Sequence, residues 1–189
     1  MPTLATLPYL RAAHRRFADE GPAALRIEAL ARDVGKNESS FYHYFGDLGA
    51  FTEALLDYHD ARFSEAVAEE AAAVDATGLA AALLAHRETI LFSRQLLLHA
   101  GRPVFRACFE RNAERAIPPL LPLWAELVGL PERTRLAESV LRLSLENFFL
   151  RLHPATLTEA WLTDYLRDLH HLVGRLLQRS GGANAASAP

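Results

Sequence analysis

Residues 20–51, EGPAALRIEALARDVGKNESSFYHYFGDLGAF, decide how this chain is read. Ile27, Leu30, Ala31 and Val34 recur at helical spacing, so a short helix turns one apolar face inward and leaves Arg26, Arg32 and Asp33 in water. Gly35 ends that helix, because glycine takes the left-handed conformation of a helix C-terminus without a Cβ penalty. Asn37 then caps a second helix, its side-chain oxygen accepting from an orphan N–H of the first turn. That helix carries Glu38, Ser39, Ser40, Phe41, Tyr42, His43, Tyr44 and Phe45. Phe41 and Phe45, neighbours at i and i+4, form its inward side, with Ser39, Ser40, Tyr42 and His43 outside. Two short helices joined by a tight glycine turn and closed by aromatics are the layout of a helix-turn-helix reader of DNA.

The preceding helix adds Tyr9, Leu10, Ala12, Ala13, Phe17, Glu20 and Gly21, and with these the chain resembles the tetracycline-repressor (TetR) family of bacterial transcription regulators. Leu30, Ala31, Val34 and Gly35 follow at the family's spacing, and Phe41-Tyr42-His43-Tyr44-Phe45 stands where the family has an aliphatic-Tyr-x-x-Phe run. The resemblance covers roughly the first 55 residues. Several positions depart from the pattern. Arg26 replaces a Thr or Ser that caps the helix and touches a phosphate; arginine cannot cap, but it still binds phosphate. Lys36, the chain's one lysine, replaces an apolar turn residue, Glu38-Ser39 replaces a frequent Lys-Gly pair, and Leu48 replaces a lysine. A Glu38 aimed at the major groove either accepts from cytosine N4 or repels the backbone. The candidate DNA-binding residues are Arg26, Lys36, Asn37, Glu38, Ser39, Ser40, Tyr42 and His43.

Charge alone does not announce a DNA binder. Residues 1–46 carry six basic and five acidic side chains, a net of +1, while the whole chain stands at −3. A dimer presents two such surfaces, and helix N-termini and hydroxyls add phosphate contacts. The 189 residues, half of them hydrophobic, suffice for a substantial core. A single Cys108 excludes an internal disulfide framework and suits a reducing compartment. No apolar run approaches the ~20 residues that cross a bilayer, and the start lacks the pattern of a secretory signal, so the expectation is a soluble, cytoplasmic protein.

Helical patterning continues to residue 179, punctuated by glycine and proline. Asp47 caps a long helix to about Val74, and a second runs from about Leu79 to Ala100. Gly101, Arg102 and Pro103 form the next joint, followed by a helix to about Ala116 and another from Pro118-Pro119 to Gly129. Pro131 opens a helix reaching Leu152, His153-Pro154 ends it, and the last helix spans about Thr158 to Arg179. Nothing alternates with period two, and no internal repeat appears. The expected fold is all-α with about nine helices: a three-helix DNA-binding domain at residues 1–46, an effector-binding and dimerisation domain at 47–179, and a disordered tail at 180–189.

The last two helices are apolar on two adjacent stripes each. Leu136, Val140 and Leu143 lie beside Leu141, Leu145, Phe148 and Leu152; Leu157, Trp161, Tyr165, Leu169, Leu172 and Leu176 lie beside Leu162, Leu166, Val173 and Leu177. Such width implies one side on the chain's own core and the other on the same helices of a second subunit, an intermolecular four-helix bundle. A two-fold dimer sets its recognition helices one DNA turn, ~34 Å, apart and reads a near-palindrome. Phe63, Phe92, Phe105, Phe109, Trp124, Asn147 and Phe148 are the candidate lining of a cavity for a small apolar or amphipathic effector, with Ser144 and Glu146 as further polar neighbours. The same aromatics also read as plain core.

Catalysis has no visible machinery. The eight histidines include no i, i+4 pair, no HExxH is present, and Cys108 has no partner for a thiolate metal site. No cofactor is implied. The reading is therefore a ligand-responsive, non-enzymatic regulator binding its operator as a homodimer, with repression the commoner behaviour the resemblance implies. A helical lipid or small-molecule binding module without a working DNA head is the alternative, kept open by Arg26, Glu38 and Leu48.

Overall fold

The computed structural model describes residues 3–130 and 135–185, with side chains as far as residue 175. Among these there are nine α-helices and no strand: α1 Leu7–Glu20, α2 Ile27–Asp33, α3 Glu38–Phe45, α4 Leu48–Ala71, α5 Ala76–Ala85, α6 Arg87–Leu98, α7 Pro103–Val128, α8 Arg135–Arg151 and α9 Glu159–Ala185. A 3₁₀ turn, Gly21–Ala24, joins α1 to α2. Asn37, Asp47 and Gly35 act as the sequence implies, and Asp75 starts α5 at Ala76, ahead of the start expected near Leu79. Asn37, Asp47 and Asp75 each cap the following helix, accepting from the N–H of Ser40 (2.9 Å), Ala50 (2.8 Å) and Gly78 (2.7 Å). Gly35 (φ +66°) closes α2, with the Lys36 N–H returned to the Ala31 carbonyl at 2.9 Å and the Gly35 N–H to Arg32.

Two joints fall elsewhere than expected, in opposite senses. The helix expected from about Leu79 to Ala100 is broken at His86 (φ −99°, ψ 24°) into α5 and α6. No glycine or proline marks the spot. The break follows from partners: α5 packs on α4 and α9, whereas α6 packs on α1 and α7. Arg87, the first residue of α6, donates to the carbonyls of Pro154 (2.5 Å) and Leu157 (3.3 Å), tying the new direction to the α8–α9 joint. Conversely, the two helices expected on either side of Pro118-Pro119 are one, α7. Pro118, Pro119 and Pro122 delete three helix donors, yet all three are exposed, on the side where water can solvate the freed carbonyls. The buried stripe Phe105, Cys108, Phe109, Asn112, Ala116, Leu120 and Trp124 holds its helical register straight across them. Burial therefore outweighs the local penalty.

At the C-terminus α9 runs to Ala185, past the expected end at Arg179 and into the segment read as a tail from Ser180. Alanines at 183 and 185, the best helix formers, follow Gly181 and Gly182, which cost about 1 kcal/mol each. Residues 186–189 and the expected helix start at Pro131 lie outside the described residues, as do the side chains of Leu176 and Leu177.

One apolar core extends from Tyr9, Phe41 and Phe51 through Phe17, Phe92 and Leu96 to Phe109, Phe149 and Leu162. It crosses the expected domain boundary at 46/47 without interruption, because α1 packs extensively on α6 and α4 belongs to both parts. Gly21 (φ +74°) makes that approach tight: a Cβ there would lie 2.8 Å from His99 Nε2 and 2.9 Å from Gln95 Oε1, both contributed by the end of α6. A second cluster, including Val67, Ile117, Trp124, Val128, Leu141 and Val173, fills the far end.

Replacing the exposed Pro119 with alanine restores one helix donor at a position where nothing else is lost. We expect a gain of about 2 kcal/mol in a denaturant melt, the helix-interior proline penalty less its restriction of the unfolded chain. A loss would show that α7 requires the bend its prolines impose.

Candidate DNA-binding head and effector cavity

α3 is held by aromatic contacts on one side only. Phe41 is fully buried, with Tyr9 of α1 at 5.8 Å and Phe51 of α4 at 4.9 Å between ring centroids, and Phe45 meets the same two rings at 5.8 and 4.8 Å. Edge-on and tilted packing of this kind fixes the roll of a helix about its axis. Glu38, Ser39, Tyr42 and His43 consequently face solvent, as do Arg26, Lys36 and Asn37 before them. Ser40 does not: half-buried, it donates its hydroxyl to Asn37 Oδ1 at 2.8 Å while its N–H bonds the same oxygen. Ser40 and Asn37 thus spend their best hydrogen-bonding capacity on starting α3.

The basic side chains of this region divide into two sets. Arg16 makes a two-point ion pair with Asp33 (2.5 and 3.0 Å), clamping α1 to α2 and holding the Asp33 carboxyl below the usual range. Arg32 pairs with Glu28 one turn away at 2.7 Å. Arg11, Arg15, Arg26 and Lys36 are exposed and make no ion pair among the described residues. Arg11 and Arg15, not among the residues the sequence singles out, share the exposed side of α1 by their i, i+4 spacing.

Two apolar cavities lie among α4, α5, α6, α7, α8 and α9. One, of about 80 Å³, is lined by Leu79, Leu123, Trp124, Ser144, Phe148 and Tyr165 among others. The second, of about 40 Å³, is lined by Phe63, Ile90, Ser93, Phe109, Asn112 and Phe149 among others. Glu70, Leu83, Leu120 and Leu145 belong to both walls, so the cavities adjoin. Tyr165 donates its hydroxyl to the Ser144 carbonyl at 3.0 Å, and burial pushes its pKa up to about 12. Glu70 is 5% exposed, its Oε1 is buried without a partner, and burial alone pushes its carboxyl up to about 8.

A buried polar chain leads from the second cavity into the head. Ser93, on the cavity wall, lies 3.3 Å from His59 Nε2; His59 Nδ1 lies 3.2 Å from His14 Nε2 on α1; and His14 Nδ1 lies 2.5 Å from Glu88. Both imidazoles are fully buried, and Phe92 stacks on both, 4.5 Å from His14 and 4.1 Å from His59. Burial lowers both imidazoles, His59 well below the ordinary histidine value with His14 beside it as a further cause. The His14 shift survives the opposing pull of Glu88, whose carboxyl is lowered by its bond to His14. With both rings neutral, His14 donates from Nδ1 to the Glu88 carboxylate, His59 donates from Nδ1 to His14, and Ser93 divides its one proton between His59 and the Thr89 carbonyl at 3.1 Å.

The family model described as bacterial regulatory proteins, tetR family, matches residues 10–55. Residues 10–55 are a TetR-family head. Its span takes in most of α1, all of α2 and α3, and the start of α4, the elements whose packing exposes the outer side of α3. A solved structure from Rhodococcus sp., named as a TetR-family transcriptional regulator, is 17% identical and covers 89% of this chain and 100% of its own, with a TM-score of 0.61. A transcriptional regulator from Cytophaga hutchinsonii ATCC 33406 is 21% identical over 90% of this chain and 95% of its own, with a TM-score of 0.56. At these identities the likeness is one of fold alone. No curated protein matches the sequence.

Behind the TetR head, the sequence-derived effector residues separate. Phe63 and Phe109 line the second cavity, and Trp124 and Phe148 the first. Phe92 does not line either; it is the stacked centre of the α1–α4–α6 junction, 4.1 Å from Phe17. Phe105 packs edge-on to Phe17 at 5.3 Å and faces an outer groove with Leu48 and Arg102. Asn147 and Glu146 are exposed, Asn147 only reaching the Tyr165 hydroxyl at 3.4 Å. Periodicity marks all these positions as non-solvent or near it, without saying which face a neighbouring helix. Glu70 and Asn112 went unnoticed, although each sits in register with an apolar stripe, seven residues after Phe63 and Phe105 respectively. Cys108 is no sensor: fully buried, it donates to Asp60 at 3.3 Å, and burial pushes its thiol up to about 12. Among the described residues no cluster of His, Cys, Asp or Glu is placed to hold a metal, and no helix is long and apolar enough to cross a membrane.

The buried histidines and Glu70 give stability a defined pH profile. Below about pH 6.5 the unfolded chain binds protons that folded His14 and His59 refuse, so stability falls with acid. Glu70 acts in the opposite sense: from about pH 4.5 up to about 8 the folded state keeps a proton the unfolded state has lost, and stability falls as pH rises through that window. Urea midpoints should therefore peak near neutrality, and Glu70→Gln should abolish the alkaline decline, at most about 1.4 kcal/mol per pH unit, while leaving the acid decline. An alkaline decline that persists in the variant would contradict this assignment.

Proposed function

We propose that the protein is an effector-responsive transcriptional regulator that binds a near-palindromic operator as a homodimer. Residues 1–46 serve as the reading head and 47–179 as the effector-binding and dimerisation part. The observation that carries the reading is α3, anchored by buried Phe41 and presenting Glu38, Ser39, Tyr42 and His43 to solvent. Arg26, Lys36 and Tyr42 contact phosphates; Ser39, His43 and Glu38 meet base edges; Asn37 and Ser40 hold the start of the helix. Arg11 and Arg15 extend the phosphate-binding side.

Dimerisation has support in a narrower surface than the sequence suggests. Leu136, Leu143 and Leu150 recur every seven residues on α8 and are 53%, 67% and 61% exposed, whereas Leu141, Phe148 and Leu152 turn inward. Among the described side chains of α9 only Leu172 (48%) stands out, since Leu162, Tyr165 and Val173 are consumed by the chain's own core. A heptad-spaced leucine ridge is costly in water and suits a second copy of α8 and α9.

Coupling follows from the α1–α6 contact. A ligand that enlarges the second cavity presses on Ser93 and Phe63, and through His59 on His14, tilting α1 and with it α3. It shifts the equilibrium only by its difference in affinity for the two states. Loss of operator binding on effector binding makes the protein a repressor, the reading we favour.

Operator affinity, measured by fluorescence anisotropy with the protein's own upstream DNA, should fall steeply with salt and select one site. Lys36→Ala should weaken binding to all duplexes, and Ser39→Ala should alter site preference. Flat, weak binding to every duplex would favour a helical ligand-binding module without a working head, a reading for which the neutralised Arg16 and Arg32 and the exposed Glu38 speak. Separately, Leu143→Arg should convert the dimer to monomer in sedimentation experiments and cost at least about tenfold in operator affinity; an unchanged mass would remove the α8 interface.

A further inference from the structure

The two adjoining cavities differ from a plain apolar void in one respect: among the described residues, the unpartnered polar atoms on their walls are a carboxyl oxygen and an amide oxygen. Glu70, whose Oε1 is buried and unbonded, lines both; Asn112, 3% exposed with its Oδ1 unbonded, lines the second. Ser144 and Ser93 also reach the walls, but the Ser144 hydroxyl donates to the Val140 carbonyl and the Ser93 proton is shared between His59 and the Thr89 carbonyl. Among the described residues no arginine, lysine or histidine joins either wall, and Glu70 is the one carboxyl there. A dry site with two unsatisfied oxygens and no cation holds its stabilising potential in reserve for a molecule that brings donors and a positive charge.

We propose that this site takes a lipophilic amine, its ammonium group held by the Glu70 carboxylate and Asn112 Oδ1 and its hydrocarbon part lying along Leu120, Leu145, Trp124 and Phe148. The inference rests on the effector-responsive reading above and specifies the effector's chemistry. An ammonium offers three donors and a charge, meeting both orphan acceptors and converting an isolated buried acid into a charge-assisted pair. An aliphatic carboxylate of the same length would bury its own negative charge among apolar side chains with no cation on the wall to compensate it, and would gain at most the one proton of the Glu70 carboxyl. An alcohol satisfies one oxygen and gains no charge. In the empty cavity the Glu70 carboxyl, pushed up to about 8, is largely protonated at pH 7, so arrival of an ammonium expels that proton to water: RNH₃⁺ and the acid give the ammonium–carboxylate pair and one H⁺.

The test is isothermal titration of the full-length protein at pH 7 with hexylamine, hexanol and hexanoate, probes slender enough for adjoining spaces of about 80 and 40 Å³. Hexylamine should bind at least about tenfold tighter than hexanoate and clearly tighter than hexanol, with release of close to one proton, read from buffers of different ionisation heat. Glu70→Gln should weaken hexylamine by about tenfold or more and leave hexanol within about twofold. Equal binding of the three probes, no binding of hexylamine, or no proton release in the wild-type protein overturns the proposal whether or not the variant folds. Operator release in a parallel anisotropy titration separates the two readings. Hexylamine binding as described with no effect on the operator complex leaves the amine site standing and removes the regulatory role assigned to it; release by hexanoate and not by hexylamine does the reverse.

Discussion

The structure depends on α1 being buried on two sides at once. Toward the head it supplies Tyr9, against which Phe41 and Phe45 of α3 pack. Toward the body it supplies Phe17 and His14, both stacked on Phe92 of α6. A 14-residue helix is marginal alone in water, and its stability here comes from these two contacts. The consequence is mechanical. α3 has no core of its own to move with, so any displacement of α1 relative to α6 carries α3 along, and any force on α6 reaches α3 through one layer of rings. Gly21 sharpens the constraint, because the end of α1 approaches Gln95 and His99 too closely for a side chain.

The polar groups inside this apolar frame behave in two ways. His14, His59, Ser93 and Glu88 satisfy one another in sequence, so their burial orients the junction without leaving a large deficit. Glu70 and the Asn112 oxygen are left unsatisfied beside empty space. A carboxyl in such surroundings stays protonated near neutrality and destabilises the folded chain as pH rises. The α8 leucine ridge is the outward counterpart: apolar surface whose cost in water a second subunit would offset.

Much of the head was legible in the residues because its determinants are local. Asn37 and Asp47 act within one turn of themselves, Gly35 is chosen by a single backbone angle, and Phe41 and Phe45 share a face by helical geometry alone. Ser40 shows the limit even there, since the same hydroxyl that reads as a free donor on a helix diagram is taken up by Asn37. In the body the determinants are distant. Proline signals the start of a helix, yet the buried stripe of α7 overrides Pro118 and Pro119; nothing local marks His86, where two sets of partners pull one helical run in two directions.

By itself, then, the chain determined an all-helical fold, the boundaries set by caps and left-handed glycines, and the outward face of α3, since each is fixed by the energetics of a few consecutive residues. Tertiary structure decided which apolar positions meet which neighbours. It sent Phe92 to the junction and Phe148 to a cavity wall, turned Leu143 outward and Leu141 inward, and enclosed Glu70 among α4, α5 and α7. Helical periodicity records that a residue avoids water; only the packing of several helices determines whether it touches a ring, an empty space or another molecule.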